Sequence, residues 1–377
     1  MVGDVFVEFC MSFEPFWRDS STLTPAQLTQ HHLEVPGKAM AYAALGTPRP
    51  DAFPAIERLL DALNTVSVES TIGQQIAAHR DTLFPGMSNA DCIATFQEYV
   101  GTLLVDSLTR AVGRNGGTDG LCLAGGCALN IKWNSALRAS GLFTEIWAPP
   151  FPNDSGAAIG TAACEMVSRT GRAALEWDVY RGPRLSPGTP PPGWTARPCD
   201  ERELAALLHT EGEPVVVLDG RAELGPRALG NRSILAPATT PGMKDRLNDV
   251  KGRAHYRPVA PMCLESHAAE VFAPGNVDPY MLFEHRLRPG QAERIPAVVH
   301  LDGSARLQTI DPATPGSRAG TILHEYHKLS GIPVLCNTSA NLSGHGLFSS
   351  VASAMEWGRI PYIWSDGTLY VKQRTAS

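Results

Sequence analysis

The chain has 377 residues, 43% of them hydrophobic and 19% charged, with a net charge of −6 and a pI near 6.0. That length allows two or three domains with sizeable cores, and the acidic balance argues against a general nucleic-acid coat. The eight scattered cysteines show no C-x-x-C pair or zinc framework, residues 1–20 lack the pattern of a secretory signal, and no stretch approaches the ~20 apolar residues of a membrane span.

Taken in chain order, the first dozen residues, MVGDVFVEFCMS, alternate and are expected to form a strand. Residues 54–65 and 88–113 are expected as helices, the second capped around Ser88 and Asp91. His31 and His32 share no helix face and read as surface residues. GLCLAGG, residues 120–126, reads as a strand running into a Gly-Gly turn, with Cys122 and Cys127 as buried free thiols of a reducing cytoplasm. A helix over 128–140, a strand EIWAPP and a loop PNDSGAAIG opening a small-residue helix follow. Strand, glycine turn and helix in repetition are α/β architecture. LSPGTPPPGW, residues 185–194, holds four prolines and two glycines and is expected to be a linker, dividing a domain 1–184 from a domain 195–377. Beyond it come a helix over 200–210, a strand PVVVLDG, a helix over 241–250, and two strand-like parts around Asp302-Gly303. A helix over 319–330, a strand IPVLCNTSAN and a hairpin IWSDGTLYVKQ complete an α+β half with a mixed sheet.

The chemistry concentrates in this second half. GPRALGNRS, residues 225–233, places Arg227 and Arg232 among glycines. Lys251, Arg253 and Arg257 lie in KGRAHYRPVAP, Arg306 follows Asp302-Gly303, and CNTSANLSG offers Asn337, Thr338, Ser339, Asn341 and Ser343. Guanidinium groups take phosphate oxygens bidentately, lysine adds a point charge, and glycine-rich turns add backbone N–H donors. Together they would make a pocket for a polyphosphate or acyl phosphate. In the first half, Gly125, Gly126 and Asn130 form a glycine turn at a helix start, which suits either a nucleotide phosphate or plain helix–sheet packing. Asp154, at the expected start of another helix, is either an N-cap or a ligand to a hard cation.

GKAMAYAALG, GGCALNIKWN, PPFPNDSGAAIG, GRAELGPRALGNRSI, LNDVKGRAHYRPVAP, HLDGSARLQTI and CNTSANLSG together resemble, from about Gly37 onward, the O-carbamoyltransferases of the nodulation-protein-U type. That family includes tobramycin, cephem and ansamycin carbamoyltransferases. The resemblance implies an actin-like domain, similar to the threonylcarbamoyl transferase of tRNA modification, followed by a YrdC-like domain. It implies an enzyme of secondary metabolism, such as antibiotic biosynthesis. Carbamoyl phosphate and ATP are joined into carbamoyl adenylate, and the carbamoyl group passes to a hydroxyl of a small molecule. By resemblance Arg227, Lys251, Arg257 and Arg306 hold the phosphates and the adenylate, and Asn337 lies near the carbamoyl group; Arg232, Ser339, Asn341, Gly125, Gly126 and Asn130, read from the residues themselves, are expected as further cofactor-binding residues. Family members carry an N-terminal lobe with a histidine-rich motif that, with the residue matching Asp154, binds a divalent metal, Mg²⁺ or Fe²⁺. That lobe is not recognised here before Gly37. Its place is expected to be taken by a separate partner chain or a homodimer, and a degenerate homologue that only binds, or a transferase for another acyl group, are the alternatives. Neither nucleic acid nor membrane is an expected partner. Ala254, Ala340 and His345-Gly346-Leu347 depart from the family's usual glutamate, phenylalanine and Glu-Pro-Ile.

Overall fold

Phe6, Phe9, Cys10 and Phe13 are spaced by three and four and are all buried, the stripe of a helix rather than the alternation of a strand. The computed structural model describes residues 2–63, 71–115, 119–172, 174–342 and 344–373, and it opens on helix α1, Val2–Met11. The strand expected over the first dozen residues is thus corrected. Two apolar neighbours out of every four satisfy a helix face, and the aromatic side chains find partners only on that face. The ring of Phe9 stacks on Phe96 with centroids 3.9 Å apart, and Phe6 meets Trp133 edge-on at 5.1 Å.

Those partners come from a helical layer: α2, Pro25–Tyr42; α3, Phe53–Leu63; α4, Thr71–Leu83; and α5, Asn89–Asn115. Ser88 and Asp91 cap α5 reciprocally, each side chain taking the other's backbone N–H at 3.1 and 2.9 Å, as the sequence predicts. Residues 64 and 65 of the helix expected over 54–65 lie outside the described residues. A parallel pair follows, β1 (Gly120–Cys122) and β2 (Glu145–Trp147), with α6 (Ile131–Ala139) between them. Cys122, at the end of β1, is exposed and Cys127, in the turn that follows, is half-buried, contrary to expectation. The first compact unit is Met1–Ala148 and the second Pro149–Ser377.

The second unit begins with α7, Ala157–Thr170, which ends at Gly171 in the left-handed conformation. The proline-rich stretch 185–194 runs inside this unit: Arg184 bridges Arg221, and the Ser186 N–H donates to the Ser349 carbonyl at 2.7 Å. In order come β3 (Trp194–Pro198), α8 (Glu201–Glu211), β4 (Val215–Leu218), β5 (Arg232–Pro237), α9 (Met243–Lys251), β6 (Ala260–Leu264), α10 (Ala268–Val271), β7 (Phe272–Ala273), β8 (His285–Leu287), β9 (Ser304–Ala305), β10 (Gln308–Ile310), α11 (Arg318–Ser330), β11 (Val334–Ser339), α12 (Val351–Trp357), β12 (Tyr362–Ser365) and β13 (Thr368–Lys372). Eight of the strands form one mixed sheet, ordered β10-β6-β11-β5-β4-β12-β13-β3, and β7-β8-β9 form a small antiparallel sheet. Every residue of β4, β5 and β6 is buried, the pattern of strands covered on both faces. The expected C-terminal hairpin is present, turning at Asp366 and Gly367 with φ of 51° and 77°. The first strand-like part before Asp302 is instead a 3₁₀ turn, Pro296–Val298, since Pro296 cannot donate to a sheet ladder.

Truncating the stacked ring tests the α1 assignment. Phe9→Ala is expected to lower stability by about 3–5 kcal/mol, read from urea unfolding followed by far-ultraviolet circular dichroism.

Candidate functional site

The loop before β5 is wound around one carboxylate. Glu223 is buried, and its Oε1 accepts the backbone N–H groups of Leu229, Asn231 and Arg232 at 2.7, 2.8 and 3.1 Å. Burial pushes this carboxyl up, and the N–H donors oppose the shift. The glycines serve the same winding. Gly225 has φ 93°, and a Cβ there would stand 2.1 Å from the Pro150 carbonyl oxygen. Gly230 has φ 132°, and a Cβ there would stand 2.8 Å from that of Ala319. The close approach is to the protein's own chain.

The two arginines of this loop have different surroundings. Arg232 is 1% exposed, and its guanidinium donates to the carbonyls of Asp219, Asn231, Gly220 and Pro183 at 2.5, 2.8, 3.1 and 3.4 Å. It ties the loop to the end of β4, so the structure gives it a holding role where a ligand contact was expected. Arg227 is half-buried, its Nε lacks a hydrogen-bond partner, and the charge it senses is that of Arg257. Burial, helped by that neighbour, lowers it to about 10.

Lys251 arrives from the last turn of α9 and is buried. Its Nζ donates to the Ser339 carbonyl at 2.5 Å, to the Asn341 carbonyl at 3.1 Å, and to the Asn341 side-chain oxygen. Ser339 Oγ donates to the same Asn341 oxygen at 2.7 Å. Burial first, then Arg253 and Arg257, push the Lys251 ammonium down to about 7. The loop after α9 is shaped by buried Asn248, whose Oδ1 accepts from Arg253 Nε at 2.5 Å and whose Nδ2 donates to the Arg257 carbonyl at 3.1 Å. Burial and Arg257 lower Arg253 to about 9. Arg306, carried between β9 and β10, is lowered well below its ordinary value by burial and then by Arg227, Arg257 and Arg253; its Nε also lacks a partner. Three segments thus deliver Arg227, then Lys251, Arg253 and Arg257, and then Arg306 to one electrostatic neighbourhood.

Asn337, 1% exposed on β11, borders the same loops through its Nδ2, which donates to the Ala228 carbonyl at 3.0 Å. A cleft of about 290 Å³ opens beside Lys251, lined by Gly252, Asn341, Leu342, His345, Trp357 and Arg359. Ser343 lies outside the described residues.

Gly125, Gly126 and Asn130 lie in the first unit, and their geometry is accounted for locally. Gly125 has φ 91°, and Asn130 is the N-cap of α6, accepting from the Lys132 N–H at 3.1 Å. Asp154 is exposed at the start of a 3₁₀ turn, and the N-cap of that turn is Asn153. Among the described residues no group of three His, Cys, Asp or Glu side chains could hold a metal ion. The residues present do not by themselves fit a divalent metal at Asp154. The sequence reading missed Glu223, Asn248 and Gln308 as parts of this site. Glu223 had one visible signal, being the sole acid within GRAELGPRALGNRSI.

A family model described as the carbamoyltransferase N-terminus matches residues 1–164, starting upstream of Gly37, and one described as the carbamoyltransferase C-terminus matches residues 205–360. The chain is 50% identical over 364 residues to a nodulation protein U of Rhizobium tropici, covering 91% of this chain and 62% of that protein. It is 43% identical over 390 residues to nodulation protein U of Bradyrhizobium diazoefficiens, covering 99% of this chain and 67% of that one. A 3'-hydroxymethylcephem-O-carbamoyltransferase of Streptomyces clavuligerus is 36% identical over 336 residues, covering 86% of this chain and 62% of the relative. The chain therefore spans a little under two thirds of the length of most of these relatives.

Two outcomes follow from this geometry. Glu223→Ala leaves three backbone N–H groups without their acceptor, and exchange protection of the Leu229, Asn231 and Arg232 amides is expected to fall at least tenfold by hydrogen-exchange mass spectrometry. The second concerns Lys251. A bound anion favours its charged form, so its pKa is higher with the anion than without. Binding is at full strength below about 7 and weakens as pH rises through that value, by up to about tenfold per pH unit. Sulfate, a dianion throughout this range, is the probe for calorimetry, and Lys251→Met is expected to flatten the profile.

Proposed function

The chain belongs to the carbamoyltransferase family, and from that premise we propose that its second unit joins carbamoyl phosphate and ATP into carbamoyl adenylate for O-carbamoylation of a small molecule. The observation that carries this reading is the gathering of Arg227, Lys251, Arg253, Arg257 and Arg306, each sensing the charge of another. Like charges lodged together in a half-buried place repel, and a polyanion relieves that repulsion. Carbamoyl phosphate and ATP are both strongly anionic and repel each other. A shared cationic pocket cancels that repulsion for both at once.

The chemistry balances with one water. Water cleaves carbamoyl phosphate to carbamate and phosphate. A carbamate oxygen then attacks the α-phosphorus of ATP, and the bond from that phosphorus to the bridging oxygen breaks, releasing pyrophosphate. Negative charge grows on the leaving pyrophosphate, where Arg227, Arg257, Arg306 and Lys251 stabilise it. Ser339 and Asn341 hold Lys251 in place, while Arg232 and Glu223 hold the loop that presents Arg227. The cleft beside Lys251, with Trp357 and Arg359 on its wall, is suited to the nucleoside end of ATP. In this reading the second unit is the YrdC-like part. The first unit, with Gly125, Gly126 and Asn130, is the actin-like part, where the carbamoyl group meets the acceptor hydroxyl. Among the described residues no helix is long and apolar enough to cross a membrane.

Pyrophosphate exchange into ATP, dependent on carbamoyl phosphate, tests the proposal. Arg257→Ala and Arg306→Ala are each expected to reduce exchange by about 10- to 200-fold with unchanged circular dichroism. Wild-type rates in both variants, or no exchange by the folded parent protein, would sink it.

A further inference from the structure

A buried pair of amides beside the cationic loops has a polarity fixed by the backbone. Gln308, 2% exposed on β10, donates its Nε2–H to the Leu229 carbonyl at 2.9 Å. A carbonyl oxygen only accepts, so the other end of this side chain must be Oε1. That Oε1 accepts from Asn337 Nδ2 at 2.6 Å. Asn337 Nδ2 also donates to the Ala228 carbonyl at 3.0 Å, a second, independent reason for the same orientation. Both amides are therefore locked, and Asn337 Oδ1 is left as a buried acceptor with no partner. An unpaired acceptor in a site this closed calls for a donor from outside the protein.

We propose that Gln308 is a positioning residue: it orients Asn337 so that the anion site selects an acyl phosphate whose acyl carbon bears an N–H donor. This rests on the proposed function and deepens it, because it names the group by which the carbamoyl substrate is told from an isostere. The carbamoyl NH₂ gives Asn337 Oδ1 its missing hydrogen bond. The methyl of acetyl phosphate has nearly the same shape and charge but leaves the acceptor buried and bare. The cationic cluster cannot make this distinction, since both molecules present the same phosphate. Without Gln308, Asn337 keeps only the Ala228 carbonyl to resist rotation.

Calorimetric titration with carbamoyl phosphate and with acetyl phosphate tests the proposal without requiring turnover. The wild-type protein is expected to bind carbamoyl phosphate about 10- to 100-fold more tightly. Gln308→Met, of similar length and without polar hydrogens, is expected to bring the ratio of the two dissociation constants towards one, chiefly by weakening carbamoyl phosphate. Asn337→Ala is expected to do the same. Sulfate affinity should be unchanged in both variants, which reports an intact cationic cluster. Equal binding of the two acyl phosphates by the wild-type protein would overturn the proposal, as would an unchanged ratio in either variant with normal sulfate affinity. Selective binding without pyrophosphate exchange would uphold the selection while removing the adenylation reading, so the two fail separately.

Discussion

Mutual repulsion among cations is the constraint on which the second unit is built. Arg227, Arg306 and the run Lys251, Arg253 and Arg257 come from three segments and feel one another's charge. Carboxylates placed among them would cancel the charge that an anionic ligand needs. The fold instead restrains two of them with neutral acceptors: the Ser339 and Asn341 carbonyls for Lys251, and the Asn248 side-chain oxygen for Arg253. Dipoles of this kind fix position without neutralising, so the field of the cluster stays available for a ligand.

The carboxylates that are present nearby act on the frame. Glu223 takes three backbone N–H groups and so sets the path of the chain that presents Arg227. Buried Asp278 accepts the Leu282 and Phe283 N–H groups at 3.0 and 2.9 Å, and it offers Arg306 one favourable charge against three unfavourable ones. The eight-stranded sheet supplies rigidity: β11 lies between β5 and β6, with Asn337 opposite Leu235 on one side and Ala260 on the other. A residue at that register cannot drift relative to the loops on either flank.

How much of this was legible in the sequence depended on whether a residue's job was local. The caps of α5, the Asp366-Gly367 hairpin and the basic loops were readable because turn chemistry and charge announce themselves within a few positions. Strand β5 was not, since it follows directly from an arginine-rich loop and carries Arg232 and Ser233 at its start. The helical face of α1 was missed because Val5 and Val7 mimic an alternation that ends once Phe9 and Cys10 are buried together. Arg227 and Arg232 look equivalent in one motif, yet one is held by four carbonyls and the other lacks a partner at Nε. No spacing rule separates them, because the carbonyls that capture Arg232 come from positions 183 and 219–231.

Under the proposed function, Lys251 suits a site that takes up and releases an anion. Burial and two neighbouring arginines bring its ammonium down to about 7, so near neutral pH it is only partly charged without a ligand. An arriving anion raises that pKa and draws in a proton, and the pocket becomes more positive as it fills. When the anion leaves, the proton leaves with it, and the repulsion among the remaining arginines is eased. An arginine at position 251 would remain charged in both states and would oppose the empty pocket at every pH the protein meets. Lysine at the point where burial and like charge coincide therefore lets the site match its own charge to that of its ligand.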